Sequence, residues 1–147
     1  MPSFVQEQDF DLANELAQLK GGDGSAGAVV SFTGLVRGDD ELFALELEHS
    51  PAMTIKALQS IENDARKRWG LIDVRIIHRF GRLELGAQIM MVAVSAPHRR
   101  AAFDAADFIM DYLKSRAPFW KREHTATGAA WVDAKDDDED ALKRWSD

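Results

Sequence analysis

The sequence predicts a two-layer α+β domain, and three observations carry that reading. Two long stretches of helical periodicity interrupt several short β-branched or alternating stretches. No internal repeat and no linker-like run divides the 147 residues, a length that suits one domain with a small appendage. No P-loop of the form GxxxxGK[ST] is present, so nucleotide-binding α/β readings lose their main support.

In chain order, residues 9–20 place Leu12, Leu16 and Leu19 at helical spacing, with acids in the first turn and Gly21-Gly22 after Lys20. Residues 27–34 are β-branched and glycine-bounded, which predicts a strand. Residues 38–41 form a polar loop, and residues 42–49 then alternate Phe43, Leu45 and Leu47 against Ala44, Glu46 and Glu48, a half-buried strand with an acidic outer face. Pro51 opens a helix whose stripe is Met53, Leu58, Ile61, Ala65 and Trp69, closed by Gly70. Residues 74–80 and 89–95 are further strands, and residues 81–86 between them have room for a short one. The next helix runs from about Pro97 to Arg116, burying Ala102, Ala106, Ile109, Met110 and Leu113. Pro118 ends it, because the residue before a proline is pushed out of the helical region. Residues 119–123 are therefore extended, residues 129–133 form a last strand, and the chain closes on a terminal helix or frayed end. The domain spans 1–135, followed by an acidic tail over 136–147.

Composition excludes several function classes. There is no cysteine, so no disulfide framework, thiolate nucleophile or Cys-ligated metal is available. No apolar run approaches the roughly 20 residues of a membrane span, and the first residues lack the basic and apolar regions of a secretory signal, so a cytoplasmic protein is expected. The formal net charge of -7 argues against general nucleic-acid binding. That average hides an asymmetry, because residues 66–123 carry 12 basic and 6 acidic side chains. Charge counting alone favours solvated helix faces over a local anion site.

Particular residues sharpen the choice. Ser95 and Pro97 place a helix start beside His98, Arg99 and Arg100, where the macrodipole is already positive and further cations are unfavourable by about 0.3–1 kcal/mol each. Free N–H groups and arginines at a helix start suit a phosphate or carboxylate. Lys114 lies on the last part of that helix and Lys121 on the extended segment beyond it. In extended geometry Lys121 and Glu123 project to one face while Arg122 takes the other. Spacing alone favours a snorkelling Lys121 among aromatic neighbours over a desolvated, chemically active amine. His49, His78, His98 and His124 show no metal-ligand spacing, and no serine has a GxSxG context, so no metal or cofactor is implied. Arg37 follows a strand end, a position from which loops reach ligands.

These residues coincide with a known family. Residues 27–37, 45–49, 76–81, 95–99 and 110–123, with Trp131-Val132, resemble the large, catalytic subunit of molybdopterin synthase in the family's order. The densest match is 110–123, Met-Asp-Tyr-Leu-Lys-Ser-Arg-Ala-Pro-Phe-Trp-Lys-Arg-Glu. The resemblance implies an α/β hammerhead with an additional antiparallel β subdomain, and a homodimer that binds two small ubiquitin-like sulfur-carrier subunits in a heterotetramer. It implies transfer of sulfur from the carrier's C-terminal thiocarboxylate to cyclic pyranopterin monophosphate, forming the dithiolene of molybdopterin. By the same resemblance Lys114 and Lys121 are catalytic, and Arg37, His98, Arg99, Arg122 and Glu123 bind substrate. The rival expectation is a non-catalytic relative that only binds the carrier, and retention of Lys114, Lys121 and Glu123 counts against it.

Overall fold

The computed structural model describes residues 3–38, 42–125, 128–132 and 140–146. The described chain runs β1 (Ser3–Gln6), α1 (Leu12–Ala17), β2 (Ala28–Leu35), β3 (Leu42–His49), α2 (Pro51–Trp69), β4 (Asp73–Arg79), β5 (Gly81–Glu84), β6 (Gln88–Ala96), α3 (Arg99–Arg116), β7 (Phe119–Thr125), β8 (Gly128–Val132) and a 3₁₀ turn, Leu142–Trp145. Two four-stranded sheets result. The first has the order β1-β4-β6-β2 and the second β5-β3-β7-β8.

The first sheet carries the main core. Of its inner strands, β6 is a near-continuous apolar run and almost wholly buried, as a strand covered on both faces must be, while β4 buries Val74, Ile76, Ile77 and His78. On one face, Val74, Ile76, Val92 and Val94 pack against α2 and α3. On the other, Ile77, Met91 and Ala93 pack under Phe10 and Leu19. Helix α2 faces the sheet with Thr54, Leu58, Ile61, Glu62 and Ala65, a spacing near 3.6 residues. Met53, expected on that stripe, is 63% exposed, and Thr54 takes the core position. Helix α3 buries Ala102, Ala105, Ala106, Phe108, Ile109 and Leu113, its alanines allowing close approach to β6 and β2. The second sheet packs Leu42, Leu45, Leu47 and Leu83 against Val36, with Phe80 and Ile89 at the junction between sheets.

Several boundaries differ from the sequence reading, each for a local reason. Strand β1 was not anticipated; it pairs parallel to β4, and four residues are too few to show alternation. Helix α1 is only Leu12–Ala17, held by the Asp11 side chain accepting from the Asn14 N–H. Ser95 does not start a helix. It sits inside β6, paired with Asp73 and Val29, and α3 begins at Arg99 with His98 as its N-cap. Residues 22–27 satisfy the spacing GxGxxG, yet they precede a strand instead of linking a strand to a helix, so the dinucleotide context is missing. Residues 39–41 of the polar loop and 133–139 of the tail region lie outside the described residues.

The chain end is docked. Trp145 meets Trp69 and Phe108 edge-on at 5.7 and 5.4 Å, and its Nε1–H donates to Asp111 Oδ2 at 2.6 Å. Arg144 pairs with the same carboxylate and with Asp107, both at 2.7 Å, so the final turn ties α2 to α3.

Gly27 is a close-approach position. Its N–H donates to the Ala96 carbonyl at 2.9 Å, and a Cβ there would collide with the Pro97 backbone oxygen. Gly27→Ala therefore forces apart the start of β2 and the residues entering α3. We expect a loss of about 1–3 kcal/mol in unfolding free energy, measured by urea denaturation. A change below about 0.5 kcal/mol would show that the contact relaxes freely.

Candidate active site

The register of the second sheet settles which side chains of β7 share a face. Phe119, Lys121 and Glu123 pair with His49, Leu47 and Leu45 of β3, and so stand on the face that carries the buried leucines. Trp120, Arg122 and His124 pair with Glu48, Glu46 and Ala44 on the opposite face. There the Arg122 guanidinium lies 5.6 Å from the Trp131 ring centre, and His124 Nε2 lies 2.9 Å from Glu46 Oε1. Arg122 is thus separated from Lys121 by the thickness of the sheet.

Lys114 occupies the last turn of α3 and is exposed, while Lys121 is half-buried. Between them the helix ends at an extended Ala117, and the Phe119 N–H donates to the Ala117 carbonyl at 2.9 Å, a tight turn about Pro118. A proline here removes a donor and sets φ, so the chain leaves the helix at a defined angle and enters β7 at once.

Under this turn lies a group of rings that sequence reasoning did not assemble. His78 stacks on Phe119, with centres 3.8 Å apart and planes 18° from parallel. His49 lies 4.5 Å from Phe80 and 5.8 Å from Phe119. His78 Nδ1–H donates to the Arg79 carbonyl at 2.8 Å, and His49 Nδ1 lies 3.2 Å from Thr54 Oγ1. Burial pushes the His78 imidazole down to about 4, the Lys114 and His49 charges adding to the effect against the opposing pull of the Arg79 carbonyl. Burial also lowers His49. Both rings end or nearly end their strands, the only trace of the group in the sequence.

A stability prediction follows. The native His78 releases its proton more readily than the unfolded one, so its contribution is present above about pH 6.5 and is lost as pH falls towards 4. His78→Phe should flatten this acid-side decline by on the order of 3 kcal/mol, read from urea unfolding between pH 7 and 4. An unchanged slope would contradict the assignment.

The remaining cations are elsewhere. Arg37 follows the end of β2, exposed, beside Val36, whose N–H donates to the Ala87 carbonyl at 2.9 Å. His98 and Arg99 are exposed at the start of α3, with no acid in its first turn and no side-chain cap. Because Ala28 pairs with Ala96 and Leu35 with Gln88, Arg37 and His98 lie at opposite ends of the β2–β6 ladder. At 3.3 Å per residue that is about 23 Å. Helix α3 likewise separates Arg99 from Lys114 by about 22 Å at 1.5 Å per residue. One chain therefore holds two cationic ends, one with Arg37, Lys114, Lys121 and Glu123 and one with His98 and Arg99. Among the described residues, no group of three His, Asp or Glu side chains is arranged to hold a metal ion.

Fold and site together define a small α+β protein with cations presented at both ends of one sheet, a chemistry suited to anionic ligands. Residues 5–116 match the family model described as MoaE protein. The chain is 54% identical over 146 residues to a molybdopterin synthase catalytic subunit of Cereibacter sphaeroides, covering 99% of this chain and 100% of that one. It is similar to the solved molybdopterin cofactor biosynthesis protein E of Burkholderia multivorans, with a TM-score of 0.85 and 50% identity, covering 99% of this chain and 97% of that one. Molybdopterin synthase from Staphylococcus aureus has a TM-score of 0.80 at 29% identity, covering 88% of this chain and 95% of that one. The chain belongs to the MoaE family, among the molybdopterin synthase catalytic subunits.

Proposed function

We propose that this protein is the sulfur-transferring subunit of a molybdopterin synthase. It takes one sulfur from the C-terminal thiocarboxylate of each of two small ubiquitin-like carriers in turn, leaving each carrier with an ordinary carboxylate, and delivers both to cyclic pyranopterin monophosphate, forming a dithiolene in molybdenum cofactor biosynthesis. The observation that carries this reading is the placement of Lys114 and Lys121 on either side of one tight turn, within the stretch where the family resemblance is densest. Two ammonium groups there stabilise negative charge on the departing sulfur and the carrier's terminal oxygen, or move protons between them. Glu123, on the face of Lys121, orients that amine or contacts substrate.

The phosphate and pterin fall to Arg37, His98 and Arg99, while Arg122, on the other face of β7 from Lys121, contributes to substrate binding from outside the lysine face. No small substrate spans the two cationic ends of one chain, so the site is shared between two copies. Strand β2 is one of the two edges of its sheet, opposite β1, and exposes Val29, Phe32 and Leu35. A two-fold axis across that edge brings His98 and Arg99 of one copy to the Arg37 and Lys114 end of the other. Each copy binds one carrier, giving a heterotetramer. No helix among the described residues is long and apolar enough to cross a membrane, and we place the reaction in the cytoplasm.

The test is a single-turnover reaction of the protein with thiocarboxylated carrier and cyclic pyranopterin monophosphate. Dithiolene product is the expected result. A stable complex with the carrier that yields none would leave a binding protein on this fold.

A further inference from the structure

The ring group beneath the Pro118 turn does more than fill space. Every cation assigned above stands on the surface or half-buried, whereas His78 is 9% exposed and sits where the chain passes between sheets. Its two contacts reach two such passages. The Nδ1–H donation fixes the carbonyl of Arg79, the last residue of β4, just before the left-handed Gly81 (φ 89°) opens β5. The face of the same ring lies flat on Phe119, the first residue of β7 after the turn from α3. Phe119 stands between Lys114 and Lys121 in the chain and shares its β7 face with Lys121 and Glu123. The stack on His78 therefore holds Phe119 at the point where β7 leaves α3, inside the stretch that joins Lys114 to Lys121.

A phenylalanine at 78 would stack as well; the imidazole adds the Nδ1–H donation that holds the end of β4, separately from the stack on Phe119. The ring is neutral at ordinary pH, so it adds no charge beside the lysines. His49 closes the group from β3, touching Phe80 and Phe119 and reaching Thr54 of α2.

We propose that His78 is a positioning residue for the lysine site, acting through the Phe119 ring that lies flat against it. This rests on the sulfur-transfer reading above and adds to it a residue that touches neither carrier nor substrate. A displacement of about an ångström in a reacting group costs up to about 100-fold in rate.

The experiment is a double-mutant cycle. His78→Asn and Phe119→Leu each remove the stack; each should lower the single-turnover rate about ten-fold while carrier affinity stays within about two-fold. The double variant should be no slower than either single, because both changes break one contact. His78→Phe keeps the stack and should restore the rate to within about three-fold of wild type. Losses that multiply to about 100-fold, a rate loss that tracks lost carrier affinity, or an unchanged rate in His78→Asn would each overturn the proposal.

A second arm needs no reaction. In the isolated protein, acetylation of Lys121 by acetic anhydride is compared with that of the exposed Lys20 by mass spectrometry. The ratio should change about three-fold or more in His78→Asn and Phe119→Leu but not in His78→Phe. If it does not change, the positioning role fails whatever the reaction proves to be. If wild type makes no product while the ratio moves as stated, the sulfur-transfer reading fails and the positioning of Lys121 stands.

Discussion

Lys121→Ala and Lys114→Ala should each lower the single-turnover rate of sulfur transfer by about 10²–10³-fold, with little change in the unfolding transition. The size follows from what the groups do on this account. An ammonium aimed at developing charge in a site partly shielded from water acts on the transition state more than on bound reactants. Neither side chain belongs to a hydrophobic core cluster: Lys114 is exposed, and truncating Lys121, which pairs with Leu47, leaves the buried leucines of that sheet in place. Arg122 provides the contrast. It stands on the other face of β7, over Trp131, so Arg122→Ala should weaken binding and leave the rate at saturation within about three-fold. Rapid-quench kinetics with saturating carrier separates the two patterns. Equal rate losses in Lys121→Ala and Arg122→Ala would contradict the placement of chemistry on one face of the sheet.

The second large effect concerns the two ends of the chain. Arg99→Ala and Lys121→Ala should each be nearly inactive alone, yet recover activity when unfolded together and refolded as a mixture. In a shared site, the mixed dimer joins an intact Lys121 end from one copy to an intact Arg99 end from the other. Random pairing of equal amounts leaves about a quarter of sites intact, so about a quarter of wild-type activity is expected. If each chain built its own site, mixing would restore nothing. The distances within one chain, about 23 Å along the β2–β6 ladder and about 22 Å along α3, are the reason to expect recovery.

Much of this arrangement was legible in the residues. Helices α2 and α3 announce themselves by periodicity and by Pro51, Gly70 and Pro118 at their ends. The opposed faces of Lys121 and Arg122 follow from the period of two, and the observed register agrees with it. Ser95 misled because a small polar residue two before a proline looks like a helix cap; only its pairing with Asp73 and Val29, distant in sequence, keeps it in β6. The same kind of information was missing for the site. That His98 and Arg99 stand far from Lys114 depends on which way α3 runs back over β6, and sequence spacing does not carry that. The His49–His78–Phe119 group was equally hidden, since its members come from three strands and meet only through tertiary packing. Local chemistry reads out from neighbours along the chain; the shape of a site comes from contacts across it.

The central claim is that sulfur passes from a carrier's tail to a pterin on this protein, and isotope tracing tests it most directly. Carrier bearing a ³⁴S thiocarboxylate is mixed with the protein and cyclic pyranopterin monophosphate, and the product's mass is measured after one turnover. The account predicts a pterin carrying two labelled sulfurs, and none when the carrier ends in an ordinary carboxylate. An unlabelled product, or a stable carrier complex that leaves the pterin unchanged, would contradict it.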